Sequence, residues 1–241
     1  MGKQNLPAAD RLIFALDVGT EEEARQLVHE LKGTISFFKV GLQLFIAAGH
    51  NVVKWLVDQD LKVFLDLKIY DIGETVSRSV AEVSRLGVKF LTIHGEGQTV
   101  EAAREGKGNS ELEILFVTLL TSRGEGDLGE SGSLEEYVLK RGEMAMKHGC
   151  DGLITSGQNV PILRETLTAH DPILVCPGIR PRGTGSDDQK RPSTPFEAIS
   201  RGADYLVVGR PIRNARDRVA TAEEIILEID SALEDQESAL S

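Results

Sequence analysis

Three charged side chains lie close together in the stretch FLDLKIYDIGET, residues 64–75, which begins as a buried strand by its pattern. Side chains alternate between the two faces of a strand, so Asp66 and Lys68 share one face, and Asp71 follows in the next turn. The opposite face is apolar and consists of Val63, Leu65, Leu67 and Ile69. We expect the Asp, Lys, Asp group to lie within a few ångströms, where the carboxylates favour the lysine ammonium. Such a group can stabilise negative charge and deliver a proton.

Two structural interpretations of these residues stay open at this point. Asp66 and Lys68 could form an ion pair that only closes the end of a strand. Asp71 and Glu74 fit a helix N-cap followed by the acid of a capping box. The predicted strands and loops around these residues decide whether the group is structural or catalytic.

Eight short apolar runs alternate with helical patterns along the chain, which is typical of parallel β/α units. The runs are Leu12–Leu16, Phe37–Val40, Val63–Leu67, Phe90–Ile93, Ile114–Leu119, Gly152–Ile154, Ile173–Cys176 and Tyr205–Val208. Helices are predicted after Thr20, a cap with Glu23 three residues on, and over Leu42–Val57, Thr75–Leu86, Leu134–Met146 and Ala215–Leu233. Eight such units in 241 residues predict one α/β domain, residues 1–241, with the fold of a (β/α)₈ TIM barrel. No G-x-G-x-x-G follows the first run, which disfavours a dinucleotide-binding fold.

The catalytic groups of such a barrel lie at the carboxyl ends of its strands, and in this chain those ends are unusually polar. They carry Asp17, Lys39, Asp66, Lys68, His94, Thr121 and Ser122. Any one of these residues could be a turn or core residue. Together at one mouth of the barrel, they predict an active site.

The last two strands lead into glycine and arginine. Gly178 and Arg180 follow the seventh run, and Gly209 and Arg210 follow the eighth. Glycine lets backbone N–H groups approach an oxyanion and arginine adds charge-assisted hydrogen bonds, so we predict a phosphate site here. Turn glycines with solvated arginines are the alternative.

Two long polar loops and a polar tail complete the chain. The loop Pro181–Thr194 is expected to act as a lid, because long loops in compact domains are commonly functional. The stretch Ser122–Ser133 has the same composition and could be a lid or a plain linker. We expect the tail Glu234–Ser241 to fray.

Composition limits the location and the partners of the protein. The formal net charge of -11 disfavours binding to nucleic acid or to an anionic membrane. No run reaches transmembrane length and the start MGKQNLPAAD lacks the apolar core of a signal peptide, so we expect a cytoplasmic protein. Cys150 and Cys176 lack the spacing of metal ligands and adjoin strand-like segments, which predicts buried free thiols.

Eight motifs occur in the order in which a known family has them: ALDV, FKVG, FLDLKIYDI, TIHGEG, LLTS, CPGIRP, DDQKR and VVGRPI. Together they closely resemble orotidine 5'-phosphate decarboxylase of the bacterial type over nearly the whole chain. The resemblance implies a homodimer of (β/α)₈ barrels with shared active sites. It also implies conversion of orotidine 5'-phosphate to UMP and carbon dioxide, the last step of de novo UMP synthesis, without a metal or organic cofactor.

The resemblance further implies a role for individual residues. Lys68 looks like the proton donor to C6, with Asp66 as its charged neighbour. The groups that look like contacts to the active site of the partner subunit are Asp71, Ile72 and Thr75. The implied substrate contacts are Asp17 and Lys39 at the ribose, Thr121 at the pyrimidine, and Arg180, Gln189, Gly209 and Arg210 at the phosphate. Gly73 and Glu74 stand where the family often has Pro-Asn.

Three other functions stay open. A magnesium-dependent phosphosugar decarboxylase or lyase on a similar barrel also resembles D-x-K-x-x-D, although Lys39 would oppose a divalent cation. A Schiff-base aldolase needs a neutral Lys68, which two nearby carboxylates disfavour. A non-catalytic sensor of a phosphorylated metabolite would bind tightly without turnover.

Overall fold

Eight parallel strands close into a barrel in the order in which they occur in the sequence, and the first strand pairs with the last. The structure is a computed structural model that describes residues 6–120, 133–181 and 193–240. The strands are β1 Leu12–Ala15, β2 Phe37–Gly41, β3 Lys62–Ile69, β4 Phe90–Ile93, β5 Glu113–Val117, β6 Gly152–Ile154, β7 Ile173–Cys176 and β8 Tyr205–Val208. The predicted (β/α)₈ barrel is confirmed.

Helices precede, connect and follow the strands. They are α1 Ala8–Arg11, α2 Glu21–Leu31, α3 Leu42–Ala48, α4 His50–Val57, α5 Gly73–Ser84, α6 Gly97–Lys107, α7 Leu134–Lys147, α8 Val160–Thr166, α9 Pro195–Ser200, α10 Arg210–Arg213 and α11 Arg218–Leu240. The predicted cap of α2 is confirmed, because Oγ1 of Thr20 accepts a hydrogen bond from the backbone N–H of Glu23 at 3.2 Å. Among the described residues, no helix is both long enough and apolar enough to cross a membrane.

Two predicted helical segments were wrong in extent. The segment Leu42–Val57 is two helices, because Gly49 adopts a φ of +66°, a left-handed conformation that interrupts a helix. Helix α11 continues to Leu240, so the described part of the tail is helical rather than frayed. A contact with α9 holds this end, where Nε2 of Gln236 donates to the carbonyl of Ile199 at 2.8 Å.

Aromatic side chains fill the interior of the barrel. Phe90 packs against two other inward-facing rings, with its centroid 5.2 Å from that of Phe37 and 5.1 Å from that of Tyr205. Phe64 belongs to this inner cluster, whereas its neighbours Val63 and Leu65 belong to the outer layer of the core. The alternation predicted for β3 is therefore confirmed for residues 63–65, and it directs Asp66, two residues after Phe64, towards the barrel interior.

The pairing of β3 with β4 is irregular at the end nearest the polar residues. Leu65 is level with Leu91 and Ile69 with Ile93, so four residue steps in β3 span two in β4. Lys68 lies within this bulge and has a φ of +51°. A left-handed lysine is strained, and such strain is commonly found at functional sites.

Both cysteines are buried free thiols, as predicted. Burial raises the pKa of the Cys150 thiol to about 12, and burial also raises the pKa of Cys176. Neither side chain is a reactive thiolate near neutral pH.

Candidate active site

Four charged side chains from three neighbouring strands form a continuous chain of ion pairs at the carboxyl end of the barrel. Nζ of Lys39 lies 2.8 Å from Oδ1 of Asp17 and 3.6 Å from Oδ2 of Asp66. Nζ of Lys68 lies 2.7 Å from Oδ1 of Asp66. Positive and negative groups alternate along this chain, so each ammonium faces at least one carboxylate. We call these four residues the charged network.

The members of the charged network differ in exposure to solvent. The side chains of Lys39 and Asp66 are 10% and 15% exposed, whereas that of Lys68 is 34% exposed. The carboxylate of Asp17 is half exposed. Asp66 is therefore the mostly buried carboxylate of the network, whereas a molecule in the mouth of the barrel can reach the ammonium of Lys68.

Asp66 stays ionised despite its burial. Burial alone would raise the pKa of its carboxyl, because a charge loses solvation when it leaves water. The positive charges of Lys39 and Lys68 act in the opposite direction, together with hydrogen bonds from Lys68 and Thr92, and the pKa of Asp66 is lowered overall. The site thus contains a fixed negative charge next to the Lys68 ammonium.

Thr92 belongs to the site, although its place at the start of the TIHGEG motif predicted no role for it. The side chain is fully buried on β4. Its Oγ1 donates to Oδ1 of Asp66 at 2.8 Å and accepts from the backbone N–H of Lys68 at 3.0 Å. A signal for it was present in the sequence: Thr92 lies two residues after the inward-facing Phe90, as Asp66 lies two residues after Phe64.

The end of β8 lies against the end of β1. Gly209 precedes α10, and a Cβ atom at this position would lie 3.3 Å from Cβ of Ala15 and 3.6 Å from Oδ2 of Asp17. The guanidinium of Arg213 donates to the backbone carbonyl of Asp17. Glycine therefore lets the backbone of the β8–α10 turn approach the charged network.

The predicted phosphate residues lie on the loops after β7 and β8. Arg180 is buried, its backbone N–H donates to the carbonyl of Ser193 at 3.0 Å, and its Nη1 donates to the carbonyl of Ile179 at 2.9 Å. An isolated parallel β-bridge pairs Ile179, just before the predicted lid, with Ser193, near the end of the lid. Arg210 is the first residue of α10 and is half-buried. The predicted residues Gln189 and Thr121, and most of the two polar loops, lie outside the described residues.

Asp71 does not join the charged network within one subunit. It follows the end of β3, is exposed, and accepts a hydrogen bond from the backbone N–H of Ile72 at 2.7 Å. Within one described chain Lys68 forms an ion pair with Asp66 but none with Asp71, so the expected Asp, Lys, Asp group is incomplete in a single subunit. Ile72 and Thr75 are exposed beside Asp71.

The capping box suggested for Asp71 and Glu74 does not form either. Ile72 is the N-cap of α5, and no side chain caps that helix. Glu74 instead pairs with Arg78 at 2.5 Å on the exposed face of α5. Gly73 has ordinary steric surroundings, since a Cβ atom there would meet Ala102 at 3.7 Å.

His94 lies at the end of β4 and has a packing role. Its ring stacks on Phe116 with centroids 6.1 Å apart and planes 22° apart. Its Nδ1 lies 3.2 Å from the carbonyl of Val117.

A comparison with protein families matches residues 10–225 to the model described as "Orotidine 5'-phosphate decarboxylase / HUMPS family". The chain belongs to this family. Proteins named orotidine 5'-phosphate decarboxylase are similar over most of their length. That of Methylococcus capsulatus is 47% identical over 222 residues, 90% of each chain, and that of Bradyrhizobium diazoefficiens is 46% identical over 93% of this chain and 95% of its own.

Solved structures of similar proteins have the same fold. The crystal structure of orotidine 5'-phosphate decarboxylase from Lactobacillus acidophilus has a TM-score of 0.79 and 35% sequence identity, and the match covers 91% of this chain and 99% of that one. An uncharacterized conserved protein from Geobacillus kaustophilus has a TM-score of 0.77 and 30% identity over 90% and 99% of the two chains.

The charged network contains an ammonium group among its carboxylates. Lys39 places an ammonium between the carboxylates of Asp17 and Asp66, where a divalent cation would need oxygen ligands. Within residues 6–120, 133–181 and 193–240, no group of three or more His, Cys, Asp or Glu side chains could hold a metal ion.

Proposed function

We propose that this protein decarboxylates orotidine 5'-phosphate to UMP and carbon dioxide, with Lys68 as the proton donor to C6. The observation that carries the proposal is the Lys68 ammonium at the mouth of the barrel, held 2.7 Å from the buried, ionised Asp66. Family membership and the names of relatives 43–47% identical support the reaction.

The reaction places a specific demand on the site. When the bond between C6 and the carboxylate breaks, carbon dioxide leaves and an electron pair remains on C6 in the plane of the ring, where the ring π system cannot delocalise it. Stabilisation must therefore come from fixed charge in a site that excludes water. The ammonium of Lys68 provides that charge, transfers a proton to C6 to give UMP, and regains a proton from solvent afterwards.

The other members of the charged network suit the ribose. Asp17 is half exposed and is held by Lys39, so its carboxylate can accept a hydrogen bond from a ribose hydroxyl while Lys39 donates to another. Lys39 also adds a second positive charge beside Asp66. This arrangement keeps Asp66 ionised when the substrate covers the mouth.

The phosphate end of the substrate would bind where β7 and β8 end. Gly209 lets backbone N–H groups approach the oxygens, and Arg210 follows it in the sequence. We assign Arg180 and Gln189 to the same end of the substrate, and Thr121 to the pyrimidine, from their positions in the motifs.

A homodimer would account for the exposed apolar side chains near the site. Large apolar residues are exposed on the segments that leave β2, β3 and β5, the same end of the barrel as the charged network. They are Leu42, Ile46, Tyr70, Ile72 and Leu120, and Ile46 and Ile72 are 79% and 71% exposed. Large apolar side chains exposed at one end of a protein commonly mark an interface, and two copies of one chain usually associate about a two-fold axis. We propose that a second copy covers this surface.

The same dimer would complete the active site. Asp71 lies between the exposed residues Tyr70 and Ile72, and among the described residues it forms no ion pair with its own Lys68. In the proposed dimer, Asp71, Ile72 and Thr75 reach the partner subunit's substrate. Each active site then contains charged residues from two chains.

The proposal includes a reaction without metal or organic cofactor, in a cytoplasmic protein that binds neither nucleic acid nor membranes. It is tested by following the loss of orotate absorbance with purified protein and orotidine 5'-phosphate, with and without a chelator. We expect turnover that the chelator leaves unchanged. A rate that the chelator abolishes and magnesium restores contradicts the metal-free reaction, whereas tight binding without turnover contradicts the catalytic role.

A further inference from the structure

Thr92 connects both ends of Lys68 through one hydroxyl group. Its Oγ1 accepts from the backbone N–H of Lys68 at 3.0 Å and donates to Oδ1 of Asp66 at 2.8 Å. The same Oδ1 accepts from Nζ of Lys68 at 2.7 Å. The three contacts form a closed ring that runs from the Lys68 backbone through Thr92 and Asp66 to the Lys68 ammonium.

The bulge in β3 explains why a side chain is needed at this position. Four residue steps in β3 face two in β4, so the backbone N–H of Lys68 does not meet a carbonyl of β4 as it would in a regular ladder. Thr92 is 0% exposed, and water has no access to replace its hydroxyl. A buried N–H group without an acceptor is costly, so the hydroxyl of Thr92 supports the left-handed conformation of Lys68.

We propose that Thr92 is a positioning residue for the decarboxylation: its hydroxyl fixes the turn that carries Lys68 and the carboxylate that orients the Lys68 ammonium. This inference rests on the proposed function, because it concerns the geometry of the proposed proton donor. Thr92 is fully buried and its hydroxyl bonds to Asp66 and Lys68, so its proposed effect on the reaction passes through these two residues.

The hydroxyl, rather than the volume of the side chain, carries this role. Thr92→Val has nearly the same shape but can neither accept from Lys68 nor donate to Asp66, whereas Thr92→Ser retains both hydrogen bonds. Misplacement of a catalytic group by about 1 Å can cost on the order of a hundredfold in rate. Substrate binding depends mainly on groups at the ribose and phosphate, so the loss should appear in kcat.

The matched control is Thr118, which is also a buried threonine at the end of a strand. It is 1% exposed, and its Oγ1 donates to the carbonyl of Ile154 at 2.9 Å, away from the charged network. Thr118→Val therefore measures the general effect of removing a buried hydroxyl from this barrel. Parent, Thr92→Val, Thr92→Ser and Thr118→Val are compared for kcat, KM, thermal unfolding and affinity for UMP.

We expect Thr92→Val to lower kcat by about 10- to 100-fold, with KM and UMP affinity within about threefold of the parent. Thr92→Ser and Thr118→Val should keep kcat within about threefold. If Thr92→Val does not fold, Thr92→Cys keeps a similar volume with only weak hydrogen bonding and provides the same comparison.

The inference is overturned if Thr92→Val matches the parent, if it lowers kcat no more than Thr118→Val does, or if only KM changes. These results differ from a failure of the proposed function. A parent protein that does not turn over orotidine 5'-phosphate contradicts the proposed function and this inference with it. An active parent with an equally active Thr92→Val variant contradicts the inference alone.

Discussion

Lys39 on β2 and Asp66 on the neighbouring strand β3 form an ion pair, with 3.6 Å between Nζ and Oδ2. Asp66 also binds Lys68, so one buried carboxylate balances two ammonium groups that face the same mouth. Removal of any member therefore leaves charge uncompensated in a poorly solvated place. The charged network is a single electrostatic unit whose parts can be tested one at a time.

Replacing Lys68 by alanine removes the proton donor and the positive charge that faces the carbanion. We expect kcat to fall by at least about 10²- to 10⁴-fold, the range typical of acid–base groups, with a smaller effect on binding. Steady-state kinetics measures the loss, and circular dichroism checks the fold. The exposed Lys32 provides a matched control, because Lys32→Ala removes an equal charge far from the network. A correctly folded Lys68→Ala protein within about tenfold of the parent excludes Lys68 as the catalyst.

The lowered pKa of Asp66 predicts a dependence of stability on pH. A carboxyl group whose pKa is lower in the folded state stabilises the protein above its unfolded pKa, and that contribution is lost as the pH falls through the folded pKa. We expect Asp66→Asn to lower the free energy of unfolding by about 1 to 3 kcal/mol at neutral pH. The difference from the parent should shrink below about pH 4, the ordinary range of an aspartate.

Urea unfolding of parent and Asp66→Asn between neutral and acid pH measures this difference. Asp58→Asn is the control, because Asp58 is exposed at the end of α4 and belongs to no ion pair in the described part of the chain. If the difference in free energy of unfolding between parent and Asp66→Asn stays constant down to about pH 3, Asp66 is not stabilised as an anion.

The sequence predicts the barrel and much of the charged network because both depend on local patterns. The alternation around Phe64 directs Asp66 inward, and the apolar runs place Asp17 just after β1 and Lys39 within β2. These features need only the period of a strand and the parallel order of β/α units. The structure agrees with the sequence at these points.

Features that depend on pairing between distant segments could not be predicted in this way. The bulge at Lys68 and the bond from Thr92 to Asp66 require the register of β3 against β4, which no local pattern determines. The exposure of Asp71 also does not follow from a local pattern. The extension of α11 depends on a contact between Gln236 and Ile199, 37 residues apart.

Mixing two inactive variants tests whether Asp71 acts across a dimer interface. Lys68→Ala and Asp71→Ala proteins, mixed under conditions of subunit exchange, should form heterodimers with one doubly defective site and one intact site. Random exchange of an equal mixture should restore about a quarter of the parent's activity, because half of the dimers carry one intact site. Native mass spectrometry of differently tagged subunits verifies the exchange. If exchange occurs and no activity returns, Asp71 does not complete the partner subunit's site.

Replacing Arg210 tests the proposed phosphate end of the site. The phosphate takes no part in bond breaking, but its binding can speed the chemistry, because contacts with a non-reacting group can drive closure of a loop over the mouth. Losing a charge-assisted contact in Arg210→Ala should cost about 1.5 to 3 kcal/mol, or roughly ten- to a hundredfold in kcat/KM. Arg216, exposed between α10 and α11, provides the control variant Arg216→Ala, which should keep the kcat/KM of the parent.

Orotidine, the substrate without a phosphate, separates a phosphate contact from support of the fold. The parent should react far more slowly with orotidine than with orotidine 5'-phosphate, because the truncated substrate lacks the contacts that favour closure. Arg210→Ala should impair turnover of the phosphorylated substrate much more than turnover of orotidine, because orotidine never had the contact to lose. Equal fractional losses on the two substrates would mean that Arg210 supports the fold or the ring end of the site. Its assignment to the phosphate would then be wrong, while the assignment of Lys68 as proton donor would stand on its own test.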